Sequence, residues 1–308
     1  MIKFLIFFLI FGTIKSELLH PESGSTLYQT HVRFEWIENP QANQYLLYVS
    51  NGNDLINDCV ICGEIIDSKS LIFIAKSDLN WNTSYNWQIR YLDNMDNEIG
   101  ASSINTFSIG PSISSVTTTN FETNSEKELT MFGSFFNYYS AVIDKNGNEI
   151  WNTQSVYMNH INQYGQLYGV NGQGVQFNYD QEIIWSTPEG TDIDSHEVKQ
   201  IPNGNYMAFV PIYQSGPIPQ GDWTNLFQSF GYSADGITNE FPWMGLRIVE
   251  WDQDTGEEIW NWDPFEHFSM NDHDLYGGMW WDAAFNGRFD WMHTNAFHFD
   301  EQESVIYV

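Results

Sequence analysis

The stretch KNGNEIWNT, residues 145–153, indicates the fold, because two similar stretches follow it: YDQEIIWST at 179–187 and DTGEEIWNW at 254–262. Each has a polar turn, an acidic residue, one or two isoleucines and a tryptophan. The tryptophans are Trp151, Trp185 and Trp260, separated by 34 and 75 residues. Because 75 is close to two periods of about 37, the repeat predicts β-propeller blades, each copy a hairpin strand that ends on a packed tryptophan. A generic β-sandwich with coincidental spacing is the alternative.

Upstream of the repeat, residues 17–110 predict a separate β-sandwich of the immunoglobulin-like or fibronectin type III-like kind. Its short strand patterns are VRFEWIE (32–38), QYLLYVS (44–50), LIFIA (71–75) and YNWQIRYLD (85–93). Tyr85 fits a tyrosine corner, and Trp36 fits the tryptophan of a sandwich core. A linker is expected near 109–116. The whole chain is therefore predicted to be all-β: a sandwich at 17–110, then an incomplete propeller at 111–308.

The first sixteen residues, MIKFLIFFLIFGTIKS, predict a signal peptide. Lys3 supplies the positive charge, and the apolar run that follows is too short to span a bilayer. A retained membrane anchor is the alternative, since the cleavage site is not Ala-x-Ala. We expect a soluble periplasmic or extracellular protein that is not embedded in a membrane after the signal peptide is removed.

The charge of the chain excludes some partners. The 308 residues carry a formal net charge of −29, with 11 Lys and Arg against 40 Asp and Glu. Nucleic acids and anionic membrane surfaces would be repelled by such a protein. The sequence leaves open whether two copies form a homodimer.

The two cysteines, Cys59 and Cys62, form the motif CVIC. In an oxidising compartment this spacing predicts a short-loop disulfide. A redox pair would need a βαβ context, and a zinc site would need a second ligand pair at matching spacing. The sequence has neither pattern.

Histidines with polar neighbours are the candidates for chemistry. In DWMHTNAFHF, residues 290–299, strand alternation would place His293 and Asn295 on one face, roughly 6–7 Å apart. That spacing suits two groups that hold one small polar ligand, and it also suits a strand end at a solvent-exposed rim. His196 lies just before a second strand pattern. His267 and His273 lie in a loop with Asp272 and Asp274, where a cation is an alternative, although the spacing lacks the HExxH pattern and we predict no metal.

Three stretches together resemble the arylsulfotransferase (aryl-sulfate sulfotransferase) family, over about 130–308. They are DSHEVKQIPNGNYMAF (194–209), the repeated GxEIW elements, and above all DWMHTNAFHFDEQESVIYV (290–308). The resemblance implies an exported six-bladed propeller that moves a sulfuryl group from a phenolic sulfate donor to a phenol acceptor. The route passes through a sulfated histidine and needs no cofactor.

By this resemblance, His293 and Asn295 would contact the sulfuryl group, and His196 would be a further polar group at the funnel mouth. The aromatic-rich inserts would line an aryl pocket with Trp223, Phe227, Trp243, Trp280 and Trp281.

The sequence also departs from the family pattern. The histidine that accepts the sulfuryl group, and an arginine near it, normally lie further along the chain than Val308. Ala296 stands where many relatives have serine, and Ser195 where many have a second histidine. We therefore expect an inactive fragment of a longer protein. The alternative is a short native chain whose open sheet edge has another partner.

Two other functions remain open, because the chain has few basic residues and departs from the family pattern. From residue 111 onward the basic residues are Lys127, Lys145, Lys199, Arg247 and Arg288, which are few for a protein that binds an anionic donor. A non-catalytic extracellular propeller that binds a glycan or protein is the first alternative. A quinoprotein-type dehydrogenase, whose blades also end in packed tryptophans, is the second.

Overall fold

The computed structural model describes residues 18–67, 69–76, 78–114, 129–134, 136–273 and 279–308. Strands make up 46% and helices 7% of the structure, which confirms the all-β prediction. The expected signal peptide, 1–16, lies outside the described residues. Within the described ranges, no helix is both long enough and apolar enough to cross a membrane.

The chain divides into two compact units. Among the described residues, the first contains those up to Met131 together with Ala141–Asn152, and the second contains those of Phe132–Ser140 and Thr153–Val308. The first unit extends past the linker expected near 109–116, because it also includes Ala141–Asn152. Within this unit, the indole Nε1 of Trp81 donates to the carbonyl of Glu149 at 3.0 Å.

The first unit is a two-sheet sandwich. Its strands are β1 Leu18–His20, β2 Ser25–Leu27, β3 Val32–Trp36, β4 Gln44–Ser50, β5 Cys59–Asp67, β6 Ile72–Ala75, β7 Thr83–Leu92, β8 Glu98–Ala101 and β9 Asn105–Ile109. One sheet has the order β1-β3-β6 and the other β2-β9-β7-β4-β5, with β8 also pairing β7. Apolar side chains alternate with polar ones along β3 and β4, so each sheet buries one face.

The core of the sandwich is aromatic. Phe34 of one sheet meets Trp87 of the other edge-on, with ring centroids 5.1 Å apart. Trp36 is buried against Tyr45 at 5.5 Å, as expected of a core tryptophan. The hydroxyl of Tyr85 accepts a hydrogen bond from the backbone N–H of Asn80 at 2.7 Å, which is the contact expected of a tyrosine corner.

Cys59 and Cys62 form the predicted disulfide. They lie on β5 where its pairing with β4 shifts register, so that Tyr48 faces Cys62 and Ser50 faces Cys59. The disulfide therefore links the two residues on either side of this change of register. Its role in the described structure is therefore to fix a bulge at the sheet edge.

The second unit consists mainly of antiparallel meanders. After the sandwich strands in chain order come β10 Thr130–Ser134, β11 Tyr139–Ile143 and β12 Glu149–Thr153, of which β11 and β12 lie mostly in the first unit. Then follow β13 Tyr157–Ile161, β14 Leu167–Val170, β15 Gly174–Phe177, β16 Ile183–Ser186, β17 Val198–Gln200, β18 Tyr206–Pro217, β19 Asn239–Trp251, β20 Glu258–Trp262, β21 Phe289–Asp290, β22 His298–Asp300 and β23 Val305–Tyr307. The sheet β13-β14-β15-β16 has four strands in chain order, and β17-β18-β19-β20 are four strands in chain order within a five-stranded sheet in which β21 also pairs β19. Four such strands in chain order are the arrangement of a propeller blade.

The repeated motif forms the turn and the last strand of these sheets. Before β16, the side-chain oxygen of Asn178 accepts the backbone N–H of Glu182 at 2.9 Å. Before β20, Asp252 accepts the N–H groups of Asp254 at 3.0 Å and Thr255 at 2.8 Å. These bonds, led by that from the Thr255 backbone, lower the pKa of Asp252. A polar residue one or two positions before each of these two repeats thus fixes the hairpin turn.

The tryptophans of the repeat differ in their packing. Trp151 is buried, and Trp185 stacks on Tyr206 of the next sheet with ring centroids 3.7 Å apart. Trp260 is 41% exposed, so the prediction of a packed tryptophan is wrong there. No aromatic ring among the described residues covers it as Tyr206 covers Trp185.

The sequence predicts a long loop at Tyr213–Pro242, which is rich in Gly, Pro, Ser and aromatic residues, and a second irregular stretch at Pro264–Phe289, but helices and strands occupy part of each segment. β18 and β19 form one long hairpin that extends into both ends of 213–242, to Pro217 and from Asn239, and helix α1 (Thr224–Ser229) lies in the connection between the two strands. Helices α2 (Pro264–His267) and α3 (Met279–Asn286) lie within 264–289. The reason is a buried aromatic cluster that these elements enclose: Trp223, Phe227, Phe241, Trp243, Trp280, Phe289 and Trp291.

Candidate functional site

The stretch at 290–299 is a loop between two short strands. β21 ends at Asp290 and β22 begins at His298, and His293 has a left-handed backbone with φ 43°. The prediction of a continuous strand is therefore wrong. Trp291, Thr294 and Phe297 are the buried residues, so burial recurs every third position and not every second. We call residues 291–297 the site loop.

The start of the site loop is fixed by the aromatic cluster. The backbone N–H of Trp291 donates to the carbonyl of Met244 at 3.0 Å, which continues the pairing of β21 with β19. The Trp291 ring stacks on Phe265 at 5.0 Å and meets Trp243 edge-on at 5.6 Å. Its indole N–H donates to the carbonyl of Asp272 at 3.0 Å. Trp291, two positions before His293, is thus fixed by its backbone N–H, its ring contacts and its indole N–H.

His293 and Asn295 project from the middle of this loop. The His293 side chain is 62% exposed, and its Nδ1 lies 2.8 Å from Oδ2 of Asp290. The amide of Asn295 donates to the His293 carbonyl at 3.1 Å. With Nδ1 engaged by Asp290, Nε2 is the ring nitrogen that a ligand would meet.

Both side chains line one open groove of about 850 Å³. Its polar lining also includes Thr294 and Ser304. The apolar lining is Ile248, Trp260, Trp262, Phe268, Met292, Ala296, Ile306 and Val308. None of these described lining residues is a lysine or an arginine. A groove with aromatic walls and a few polar groups suits a flat ring that carries a polar substituent.

Trp262, one of the aromatic residues that line the groove, packs against two neighbouring rings. Trp262 lies parallel to the imidazole of His267, with ring centroids 5.3 Å apart and an interplanar angle of 1°. Phe268 meets the same indole edge-on at 5.7 Å. α2, which carries His267, is capped at its start by the Asp263 carboxylate, which accepts the N–H of Phe265 at 2.8 Å.

The aryl pocket expected from the sequence consists of other aromatic residues. Trp223, Phe227, Trp243 and Trp280 are buried in the aromatic cluster and Trp281 is exposed, and none of the five lines this groove. The groove instead uses Trp260, Trp262 and Phe268, which sequence reasoning missed. A signal was present in EIWNW at 258–262: two tryptophans at alternating positions share one strand face.

His196 does not join the groove. Its Nδ1 lies 2.7 Å from the Asp194 carboxylate, whose Oδ1 also accepts the His196 backbone N–H at 2.9 Å. This contact is local to the turn before β17. The structure therefore brings together His293 and Asn295, but not the third predicted site residue.

His267 and His273 have separate environments. His267 stacks on Trp262, whereas Nδ1 of His273 lies 3.1 Å from the Met270 carbonyl, and its ring meets Trp243 edge-on at 5.9 Å. Asp274 lies outside the described residues. Among the residues that are described, no three or more metal-ligating side chains form a group that could hold an ion.

His160, on β13, is a half-buried histidine near the charged residues Glu197 and Lys199. Burial, and after it the positive charge of Lys199, lowers the His160 pKa, while Glu197 acts in the opposite direction. The charges of Lys199 and Glu197 thus act on His160 with opposite signs.

Fold and site define an all-β protein with a sandwich unit and a unit of propeller-like sheets that carries an aromatic-walled groove. No protein-family model matches the chain, and no curated protein matches it. Among solved structures, an α-L-rhamnosidase from Dictyoglumus thermophilum is 15% identical over 64% of this chain, with a TM-score of 0.24. The chain spans only 16% of that enzyme. A protein of unknown function from Bacteroides caccae is 13% identical, with 81% of this chain and 84% of that one covered and a TM-score of 0.28. Similarities this low carry no argument about function.

Proposed function

We propose that the second unit binds a phenolic sulfate ester in the groove and serves sulfuryl transfer to a phenol acceptor. The observation that supports this most is that His293 and Asn295 line the same groove as three aromatic side chains. The aryl ring would lie against Trp260, Trp262 and Phe268, and the sulfuryl group beside the imidazole and the amide.

The chemistry of the ester accounts for the two polar residues. In the transfer, the bond between sulfur and the donor's phenolic oxygen breaks, and the oxygens gain negative charge as the phenolate leaves. Hydrogen-bond donors aimed at those oxygens stabilise that charge. We assign the Asn295 amide and the His293 imidazole to this role, with Asp290 orienting the ring through Nδ1. As that bond breaks, the sulfur forms a new bond to a nucleophilic side chain other than His293, which then passes the sulfuryl group to the oxygen of the phenol acceptor.

We also propose that the protein is exported, because the first sixteen residues predict a signal peptide.

Phenolic sulfates are small anions, and a protein of net charge −29 repels them at long range. Binding therefore needs hydrogen-bond donors at the site whose attraction exceeds this repulsion. At physiological salt, charges more than about 8 Å away are largely screened. The hydrogen-bonding groups of the site loop therefore decide the affinity.

A titration of the whole chain with 4-nitrophenyl sulfate tests the proposal. We expect saturable binding, followed by quenching of tryptophan fluorescence, and at least tenfold weaker binding of 4-nitrophenol, because the phenol lacks the sulfuryl oxygens. Equal affinity for the two compounds would contradict a site that recognises the sulfuryl group.

A glycan is the second candidate ligand, and one observation favours it: the described lining residues include no lysine or arginine. Aromatic walls also stack on the apolar faces of sugar rings, which need no cation. The same titration with 4-nitrophenyl β-glucoside distinguishes a glycan ligand from a sulfate-ester ligand. Tighter binding of the glucoside than of the sulfate ester would favour a glycan-binding propeller.

A further inference from the structure

The end of the site loop is held by an ion pair between Glu197, which immediately precedes β17, and Lys199 on β17. The backbone N–H of Phe297 donates to Oε2 of Glu197 at 2.5 Å. The ammonium of Lys199 donates to the Phe297 carbonyl and to Oε1 of Glu197. The same ammonium lies 4.2 Å from the centre of the Phe297 ring. Glu197 and Lys199 thus bind both backbone polar groups of one residue and one face of its side chain.

Strand periodicity explains why these two residues act together. Val198, between them, is fully buried in the sheet where β17 pairs with β18. Side chains alternate along a strand, so Glu197 and Lys199 project to the opposite face as a pair. Their side chains are only 12% and 15% exposed. A buried lysine and glutamate are stable there only while paired with each other and with further hydrogen-bond partners.

Phe297 needs these partners because it lies outside the sheets. The site loop is not part of a strand, so its backbone groups have no ladder of their own. A buried backbone N–H or carbonyl without a partner costs free energy. The ion pair supplies both partners, while the Phe297 ring packs on Phe209 at 5.3 Å. The loop is therefore fixed at Trp291 by the aromatic cluster and at Phe297 by the ion pair.

We propose that Glu197 and Lys199 are positioning residues that hold His293 and Asn295 at the groove by clamping Phe297. Only five residues, 292–296, separate the two fixed points, and both polar residues of the groove lie among them. The role in ligand binding rests on the proposed function, whereas the clamp on the loop does not.

Hydrogen–deuterium exchange of the whole chain tests the clamp without any ligand. In Lys199→Met, exchange of peptides covering 291–297 should become about tenfold faster, while peptides from β18 keep their wild-type rate. Arg247→Met is the matched control, since Arg247 forms an ion pair with Glu258 in the same sheet at 2.8 Å and does not contact the site loop. Unchanged exchange at 291–297 in a folded Lys199→Met protein would overturn the clamp.

If Lys199→Met does not fold, Glu197→Gln serves instead, because Gln keeps an oxygen that can accept from Phe297 N–H but loses the charge. We then expect a smaller increase in exchange at 291–297, and exchange equal to wild type would overturn the clamp. Lys199→Arg retains the positive charge and should restore exchange to within about threefold of wild type. Failure of Lys199→Arg to restore it would contradict a role for the charge.

Ligand binding separates positioning from general stability. If the clamp positions the polar groups, Lys199→Met should weaken 4-nitrophenyl sulfate binding about tenfold and 4-nitrophenol binding less than about threefold, since the phenol lacks the sulfuryl oxygens. An equal loss for both would show only a structural role and overturn the positioning proposal. If the wild type binds neither compound but exchange responds as expected, the proposed function fails and the clamp on the loop stands.

Discussion

Replacing His293 and Asn295 together by alanine should weaken 4-nitrophenyl sulfate binding about 100-fold or more. A hydrogen bond to a charged group contributes about 1.5–3 kcal/mol, and two such bonds would be lost. Binding of 4-nitrophenol should change less than about threefold, because the aromatic wall remains and the sulfuryl group is absent. The measurement is a calorimetric titration of the double variant and of the wild type with each of the two compounds.

The control for this variant is His298→Ala. His298 is exposed, lies just beyond the site loop and stacks on Tyr307 at 6.3 Å, but it does not line the groove. Its loss should leave both affinities unchanged. An effect of His298→Ala as large as that of the double variant, or no effect of the double variant, would contradict the assignment.

Replacing Trp280 by alanine should lower the free energy of unfolding by about 3–5 kcal/mol, as for other large-to-small changes in a core. Trp280 is fully buried and stacks on Phe289 with centroids 3.9 Å apart, while Trp223 and Trp243 pack against it at 6.0 and 5.5 Å. Its removal opens a cavity at the centre of the aromatic cluster. Urea unfolding followed by circular dichroism measures the loss.

Trp281→Ala is the matched control, because this neighbour on α3 is 42% exposed and outside the cluster. Its effect should be below about 1 kcal/mol, as for most surface substitutions. Equal losses for the two variants would mean that α3 does not pack as described. A Trp280→Ala protein as stable as wild type would contradict the cluster's role.

The sandwich unit could be predicted from local patterns. Strand β4 coincides with the stretch QYLLYVS, Tyr85 makes its corner contact, and Cys59 and Cys62 are paired. Each of these features depends on residues close in sequence or on alternation that one buried face imposes. The propeller-like sheets followed from the repeat for the same reason, since each repeat carries its own turn and strand.

The shape of the site loop could not be predicted in this way. Alternation suggested a strand, but the conformation is decided by partners far along the chain: Phe297 is bound by Lys199, 98 residues earlier. Composition could not show which tryptophans pack together either. Trp280 and Trp281 are adjacent, yet one lies at the centre of the aromatic cluster and the other is exposed. The sequence predicted that His293 and Asn295 share one strand face. Both line the groove, although a turn and not a pleated strand brings them there.

The central claim is that the His293 imidazole and the Asn295 amide contact the same ligand. Nuclear magnetic resonance of ¹⁵N-labelled protein tests it most directly, with both side-chain signals assigned through the His293→Ala and Asn295→Ala variants. On addition of 4-nitrophenyl sulfate, the signals of His293 Nε2 and Asn295 Nδ2 should shift together, with the same saturation curve. Saturable binding that leaves both signals in place would contradict the account.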